Sequence, residues 1–169
     1  MSWKPEVDEI KRRRELALAQ GGVDAVAKQH SQNRLTIRER VDELLDEGTF
    51  EELGPVAGTP VYNEAGELVS YDPANFILGF GKVNGRRVIV GGEDFTMRGG
   101  SPSAAGLRKS VYAEDLAVQY KIPLVRLHEG AGGSVGGTGG KGASLPGPVN
   151  ASSRFRSVAQ AMATVPVAT

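Results

Sequence analysis

The sequence predicts a mixed α/β fold with a parallel crossover, and three stretches carry that expectation. In "LTIRERVDELLDEG", Thr36 and Glu39 form a capping box ahead of an apolar helical stripe. In "NFILGFGKVNGRRVIVGGED", two apolar β-type runs flank Asn84-Gly85, a strong hairpin signal. In "SAAGLRKSVYAEDLAVQYKIPLVRLHE", a helical pattern with Ser103 as its cap returns through Pro123 to an apolar strand. A strand, a helix and a strand in that order imply a crossover connection.

The elements follow in order. Pro5 suits a first helical turn, "VDEIKRRRELALAQ" is rich in helix formers, and Gly21-Gly22 supplies a stop. The run Lys11, Arg12, Arg13, Arg14 reads as a solvated helix face. In the next helix Ile37, Val41, Leu44 and Leu45 share one face, and Gly48 follows its end. From Phe50 to Asp72 the chain reads as a connection with short strands, punctuated by Pro55, Gly58, Pro60 and Gly66. The hairpin, the crossover helix and the strand "PLVRLHE" come next. Beyond a glycine-rich stretch lie a helix candidate, "ASSRFRSVAQAMATV", and the start of a buried strand, "VPVAT". A strand that opens at the last residues predicts that the 169 residues are a piece of a longer chain.

Composition narrows the chemistry. Twenty basic and twenty acidic residues cancel, so overall charge favours neither nucleic acid nor an anionic membrane as the main partner. With no cysteine there is no disulfide framework, and two histidines leave little for a zinc site, so no metal is expected in this segment. No run reaches the roughly 18 apolar residues of a membrane span, and the first twenty residues lack a signal core, which makes the cytoplasm the expected compartment. After Glu129 there is no acid, while Lys141, Arg154 and Arg156 remain, a balance that would tolerate an anion.

The chemistry-bearing stretch is "PLVRLHEGAGGSVGGTGGKG", where eight of the thirteen residues from Gly130 to Gly142 are glycine. Glycine costs backbone entropy on folding, so either the backbone comes close to something or the segment stays mobile. The P-loop pattern fails twice: Val135 stands where its first glycine belongs, and Gly142 replaces the hydroxyl. Gly137, Gly139 and Gly142 meet the dinucleotide spacing formally, but they lie beyond the strand end and no acid follows. Ser134 satisfies a nucleophile-elbow pattern, yet both His30 and His128 precede it. Two readings remain open: a flexible surface loop, or backbone N–H groups that converge on a developing oxyanion, worth about 3 kcal/mol per donor.

The order of these motifs resembles the carboxyltransferase (beta) subunits of biotin-dependent acyl-CoA carboxylases. "RLTIRERVDELLDEGTFEEL" is similar to that family's N-terminal helix, and "GFGKVNGRRVIVGGEDFTMRGGS" to its hairpin and the glycine turn after it. "AAGLRKSVYAEDLAVQYKIPLVRLHEGAGGS" resembles its Arg-Lys helix, Pro-led strand and Asp-Ser-Gly-Gly-Ala-Arg loop, and "FRSVAQAMATVPVAT" the helix and strand that follow. The resemblance runs from Arg34 to Thr169. It implies a crotonase-like fold of repeated ββα turns, here incomplete: an N-terminal helical segment, 1–50, and the first part of the N-terminal carboxyltransferase domain, 51–169.

It also implies a function. The segment would bind an acyl-CoA substrate, and a partner would supply carboxybiotin. The biotin ureido anion would take the α-proton, and CO2 would be captured by an enolate held in a backbone oxyanion hole. By position, Ala131, Gly132 and Gly133 would hold the thioester oxygen; Gly130, Ser134 and Glu129 depart from the family's Ser, Arg and Asp. Gly99, Gly100 and Ser101 would lie near the adenosine, with Arg34, Arg38 and Lys109 as phosphate contacts. Residues 134–148 could reshape the acyl pocket or close over substrate. The expected partners are a biotin carboxylase/biotin carboxyl carrier subunit and further copies of the full subunit, a hexamer. The alternatives are a biotin-dependent decarboxylase, a crotonase-type hydratase with Glu129 as base, and a non-catalytic acyl-CoA-binding or assembly module. The fragment alone is expected to be inactive.

Overall fold

The computed structural model describes residues 2–129 and 151–169, with no account of the side chains at 151–154. Three helices lead: α1 (Lys4–Leu18), α2 (Val23–Ser31) and α3 (Ile37–Leu44). Strands β1 (Glu51–Glu52), β2 (Gly58–Tyr62), β3 (Leu68–Pro73), β4 (Phe76–Val83) and β5 (Arg86–Glu93) follow. A short 3-10 turn (Arg98–Gly100), α4 (Ala104–Tyr120), β6 (Leu124–Leu127), α5 (Ala151–Thr164) and β7 (Val167–Ala168) complete the order.

The sheet runs β1-β4-β5-β6-β7, and β2-β3 form a separate two-stranded ribbon. Strands β4 and β5 are antiparallel through a turn in which Asn84 and Gly85 have φ of 51° and 75°, the left-handed pair that a tight hairpin demands. Strands β5, β6 and β7 are parallel, so α4 is the crossover that the sequence predicted and α5 a second one.

Alternation along the strands divides the core between two faces. Phe76, Leu78, Ile89 and Leu124 pack with Ala113, Leu116 and Ala117 of α4 and with Val165. On the other face Ile77, Val88 and Val90 meet Ile37, Val41 and Leu45 of the α3 region. The capping box is present: Thr36 N–H donates to Glu39 at 2.7 Å, and Glu39 N–H donates to the Thr36 hydroxyl at 3.4 Å. Ser103 likewise caps α4, accepting from Gly106 N–H at 3.0 Å.

Two expectations need correction. The first fifty residues hold a further helix, α2, which restarts immediately after the Gly21-Gly22 stop with Gly22 at φ 89°. The basic run of α1 is not wholly solvated. Arg13 lies over the rings of Tyr62 and Tyr71, 5.8 and 5.7 Å from their centroids, and pairs with Glu9, while Arg12 donates to the Leu68 carbonyl. These contacts lay α1 against the β2-β3 ribbon although the helix buries no residue of its own.

Candidate functional site

Parallel strands end with their carbonyl termini together, and ligands of open α/β sheets bind in the crevice outside those termini. Here β5 ends at Glu93 and runs into Asp94, Phe95 and Thr96, while β6 ends at Leu127 and runs into His128 and Glu129. Facing them are Arg34 and Leu35, just before α3, and Arg40 on its first turns. Together Arg34, Leu35, Arg40, Phe95, His128 and Glu129 line a cleft of about 540 Å3. Phe95 also borders a smaller cleft of about 240 Å3, lined by Ala25, Lys28, Gln29, Gln32, Thr96 and Gly99.

Charge in the larger cleft is unbalanced toward the cation. Glu129 accepts a hydrogen bond from Gln29 Nε2 at 2.7 Å, whereas Arg34 and Arg40 stand 3.8 and 3.9 Å from its two oxygens. Those separations lie beyond hydrogen-bond range, so two guanidiniums share one carboxylate across a loose gap and keep donors for an anion. Leu35 and Phe95 add apolar wall beside them.

A buried ionic cluster joins β6 to α4. Arg126, 4% exposed, donates to Glu114 at 2.7 Å, to Glu93 at 3.2 Å and to Ser110 at 3.1 Å, and its guanidinium lies 5.1 Å from the Phe76 ring centroid. The other oxygen of Glu93 faces His128 Nδ1 at 3.3 Å. Nearby Asp94 is buried, and burial pushes its carboxyl above the ordinary range. Hydrogen bonds from the Thr96 hydroxyl and N–H and the charge of Arg38 act against that, while Glu129 adds to it.

The residues singled out by sequence fall in different places. Arg34 lines the larger cleft and Gly99 the smaller one. Arg38 instead makes a two-pronged pair with Glu52, at 3.0 and 3.1 Å, that ties α3 to β1. Lys109 is buried and donates to the Gly54 carbonyl at 3.2 Å. Burial lowers its amine to a pKa of about 8, with Glu52 raising it and Arg38 lowering it. Gly100 is buried, and the Ser101 carbonyl accepts from the Asn75 side-chain amide at 2.7 Å. Arg98, Gly99 and Gly100 have φ of 54°, 58° and 74°, a left-handed run that explains the glycine pair by backbone conformation alone. Ala131, Gly132 and Gly133 lie outside the described residues, as do Gly130 and the 134–148 segment.

Arg40, Gln29, Phe95 and Asn75 are site or support residues that the sequence reading passed over. Arg38 and Arg40 are two apart, so a helix sends them roughly 200° apart, and only one can face a given cleft. The Ile37–Val41 stripe fixes which face is buried but not which of the two arginines meets Glu129. Asn75 is buried; it accepts from Ser103 N–H at 2.8 Å while donating to Ser101, and so clamps the left-handed turn onto the sheet.

Residues 28–145 match the family described as the carboxyl transferase domain. The propionyl-CoA carboxylase carboxyltransferase subunit of Haloferax mediterranei is 34% identical over 135 residues, covering 80% of this chain and 26% of that protein. The propionyl-CoA carboxylase beta chain of Saccharopolyspora erythraea is 38% identical over 127 residues, covering 75% and 23%. Among solved structures, a single-chain, multi-domain long-chain acyl-CoA carboxylase superposes with a TM-score of 0.70 at 29% identity, covering 96% of this chain and 16% of that one. The transcarboxylase 12S hexamer, with methylmalonyl-CoA bound, superposes at 0.67 and 23% identity, covering 95% and 29%, a likeness of fold alone. The chain thus spans about a quarter of the length of the curated relatives it matches.

Proposed function

The chain belongs to the carboxyl transferase domain family, and from that premise we propose that it is the acyl-CoA-binding part of a biotin-dependent acyl-CoA carboxylase, on a crotonase-like fold. One observation carries the reading. At the carbonyl ends of parallel strands, two arginines share a single loosely held carboxylate in a cleft with an apolar wall. That chemistry suits a ligand with phosphates at one end and an apolar acyl thioester at the other. Arg34 and Arg40 are the proposed phosphate contacts. The turn Gly99, Gly100 and Ser101, with the cleft beside it, takes the adenosine. Arg38 and Lys109 are reassigned to holding the fold, because Glu52 and Gly54 already occupy them.

The backbone at Ala131, Gly132 and Gly133 would hold the thioester oxygen as it gains charge on enolisation. Carboxybiotin, carried by a partner biotin carboxylase/carboxyl carrier subunit, would supply CO2. What this chain contributes is orientation of the thioester and stabilisation of the enolate, so no ionisable side chain need sit at the oxyanion. A hydratase reading with Glu129 as base is less well supported, since that carboxylate already accepts from Gln29 and lies between two arginines. We further propose that residues 1–50 form a helical lead and 51–169 part of the N-terminal carboxyltransferase domain, in a cytoplasmic, hexameric assembly.

Titration of the chain with propionyl-CoA tests the site. A lost charge-assisted phosphate contact is worth about 1.5–3 kcal/mol, so Arg40→Ala should weaken binding roughly tenfold or more. Arg38→Ala should leave affinity near wild type and lower the melting temperature. The reverse pattern would return Arg38 to the site and remove Arg40 from it.

A further inference from the structure

A carboxylate free to move beside a guanidinium closes on it, with N···O distances of about 2.7–2.9 Å. Arg38, on the same helix as Arg40, comes close to this with Glu52, at 3.0 and 3.1 Å. Arg34 and Arg40 do not. They stop 3.8 and 3.9 Å from the two oxygens of Glu129, and among the described residues neither pairs with another carboxylate. The bond that Glu129 makes instead is with Gln29, whose side-chain amide donates to Oε1 at 2.7 Å, and Oε1 is the oxygen that Arg34 faces. Gln29 is itself firmly held. It is 4% exposed on α2, and its main-chain carbonyl accepts from Gln32 N–H at 3.1 Å and from Arg34 N–H at 3.2 Å. One residue thus anchors both the backbone of Arg34 and the carboxylate opposite it. Gln29 also lines the smaller cleft, so its side chain stands between the two depressions.

We propose that Gln29 is a positioning residue for the phosphate end of the ligand: it tethers Glu129 short of Arg34 and Arg40 and so keeps both guanidiniums open. The proposal rests on the acyl-CoA reading and deepens it, by assigning what holds the anion site ready and what the ligand must displace. Glu129, so tethered, is a built-in rival for the arginines. Two guanidiniums less one carboxylate leave the cleft one net positive charge. A ligand has to offer the arginines more than Glu129 does. A diphosphate, with several charged acceptor oxygens, meets that demand, and a single carboxylate does not. Loss of the tether would let Glu129 close on the arginines and occupy donors that the ligand needs.

The test is titration of the full chain with propionyl-CoA and, separately, with inorganic pyrophosphate. Gln29→Leu leaves the main-chain carbonyl that holds Arg34 and removes the amide; it should weaken both ligands about tenfold. Glu129→Gln removes the rival charge and should tighten both by about as much. The double variant separates positioning from packing. With no carboxylate left to restrain, Gln29→Leu should not change the affinity of the Glu129→Gln chain, whereas a merely structural role would weaken both backgrounds alike. Equal weakening in the two backgrounds, or weaker binding in Glu129→Gln alone, would overturn the proposal and leave the acyl-CoA reading standing. The Glu129→Gln arm decides the matter even where Gln29→Leu fails to fold. Pyrophosphate binding without propionyl-CoA binding would overturn the acyl-CoA reading, and the variant pattern on pyrophosphate would still decide the tether. No binding of either ligand would overturn both.

Discussion

Lys109 is the residue whose environment makes the sharpest solution prediction. Its amine, buried against the Gly54 carbonyl, has a pKa of about 8 in the folded chain against an ordinary 10.5. The folded state therefore binds this proton less tightly than the unfolded state. Below pH 8 both states are protonated and burial costs on the order of 3 kcal/mol; between pH 8 and 10.5 that cost is progressively relieved. Stability contributed by this group should rise with pH across the window. Tyr62 and Tyr71, both raised in the fold, work in the opposite sense at the alkaline end, so the difference between wild type and Lys109→Met is the quantity to follow. Denaturant titrations at a series of pH values should give a difference that shifts in favour of wild type as pH rises. A flat difference would mean that the amine keeps its ordinary affinity for the proton. Charge alone made Lys109 a candidate phosphate contact; its burial between α4 and the chain after β1, where it donates to the Gly54 carbonyl, is what supports the structural role proposed above.

Local elements were largely readable, and the reason is that their signals are short-range. The capping box at Thr36 and Glu39, the cap at Ser103 and the Asn84-Gly85 turn each fix backbone within a few residues, and each is present as predicted. The parallel pairing of β5 with β6 followed from one helix between two apolar strands. What local signals do not encode is docking at a distance. Asn75 illustrates this: nothing in "PANF" marks an asparagine that clamps residues 26 and 28 positions away. Replacing it by alanine leaves the partly buried Ser101 carbonyl and the buried Ser103 N–H to find other partners, the latter at a cost of about 1–3 kcal/mol. Asn75→Ala should therefore lower the denaturation midpoint clearly and increase amide exchange from Arg98 to Ser103 more than in β4. Equal exchange in both places would show that the turn holds itself and that the clamp is incidental.

For the whole molecule, topology does the positioning. A hairpin followed by parallel crossovers places the ends of β5 and β6 side by side, and α3, packed on one face through Ile37, Val41 and Leu45, brings Arg40 over those ends. The family resemblance was visible in the order of motifs, and the match over residues 28–145 agrees with it. The cleft was not, since Arg34, Arg40, Phe95 and Glu129 come from three separate stretches whose meeting depends on the sheet. The most direct test of the functional account is to capture the native assembly through this chain, supply methylmalonyl-CoA labelled in its free carboxyl group, and follow the label. The account predicts a biotinylated partner in the assembly and label appearing on its biotin, with transfer at low methylmalonyl-CoA slowed about tenfold or more when Arg40 is replaced by alanine. An assembly without a biotinylated partner, and no transfer of label to added biotin, would contradict it.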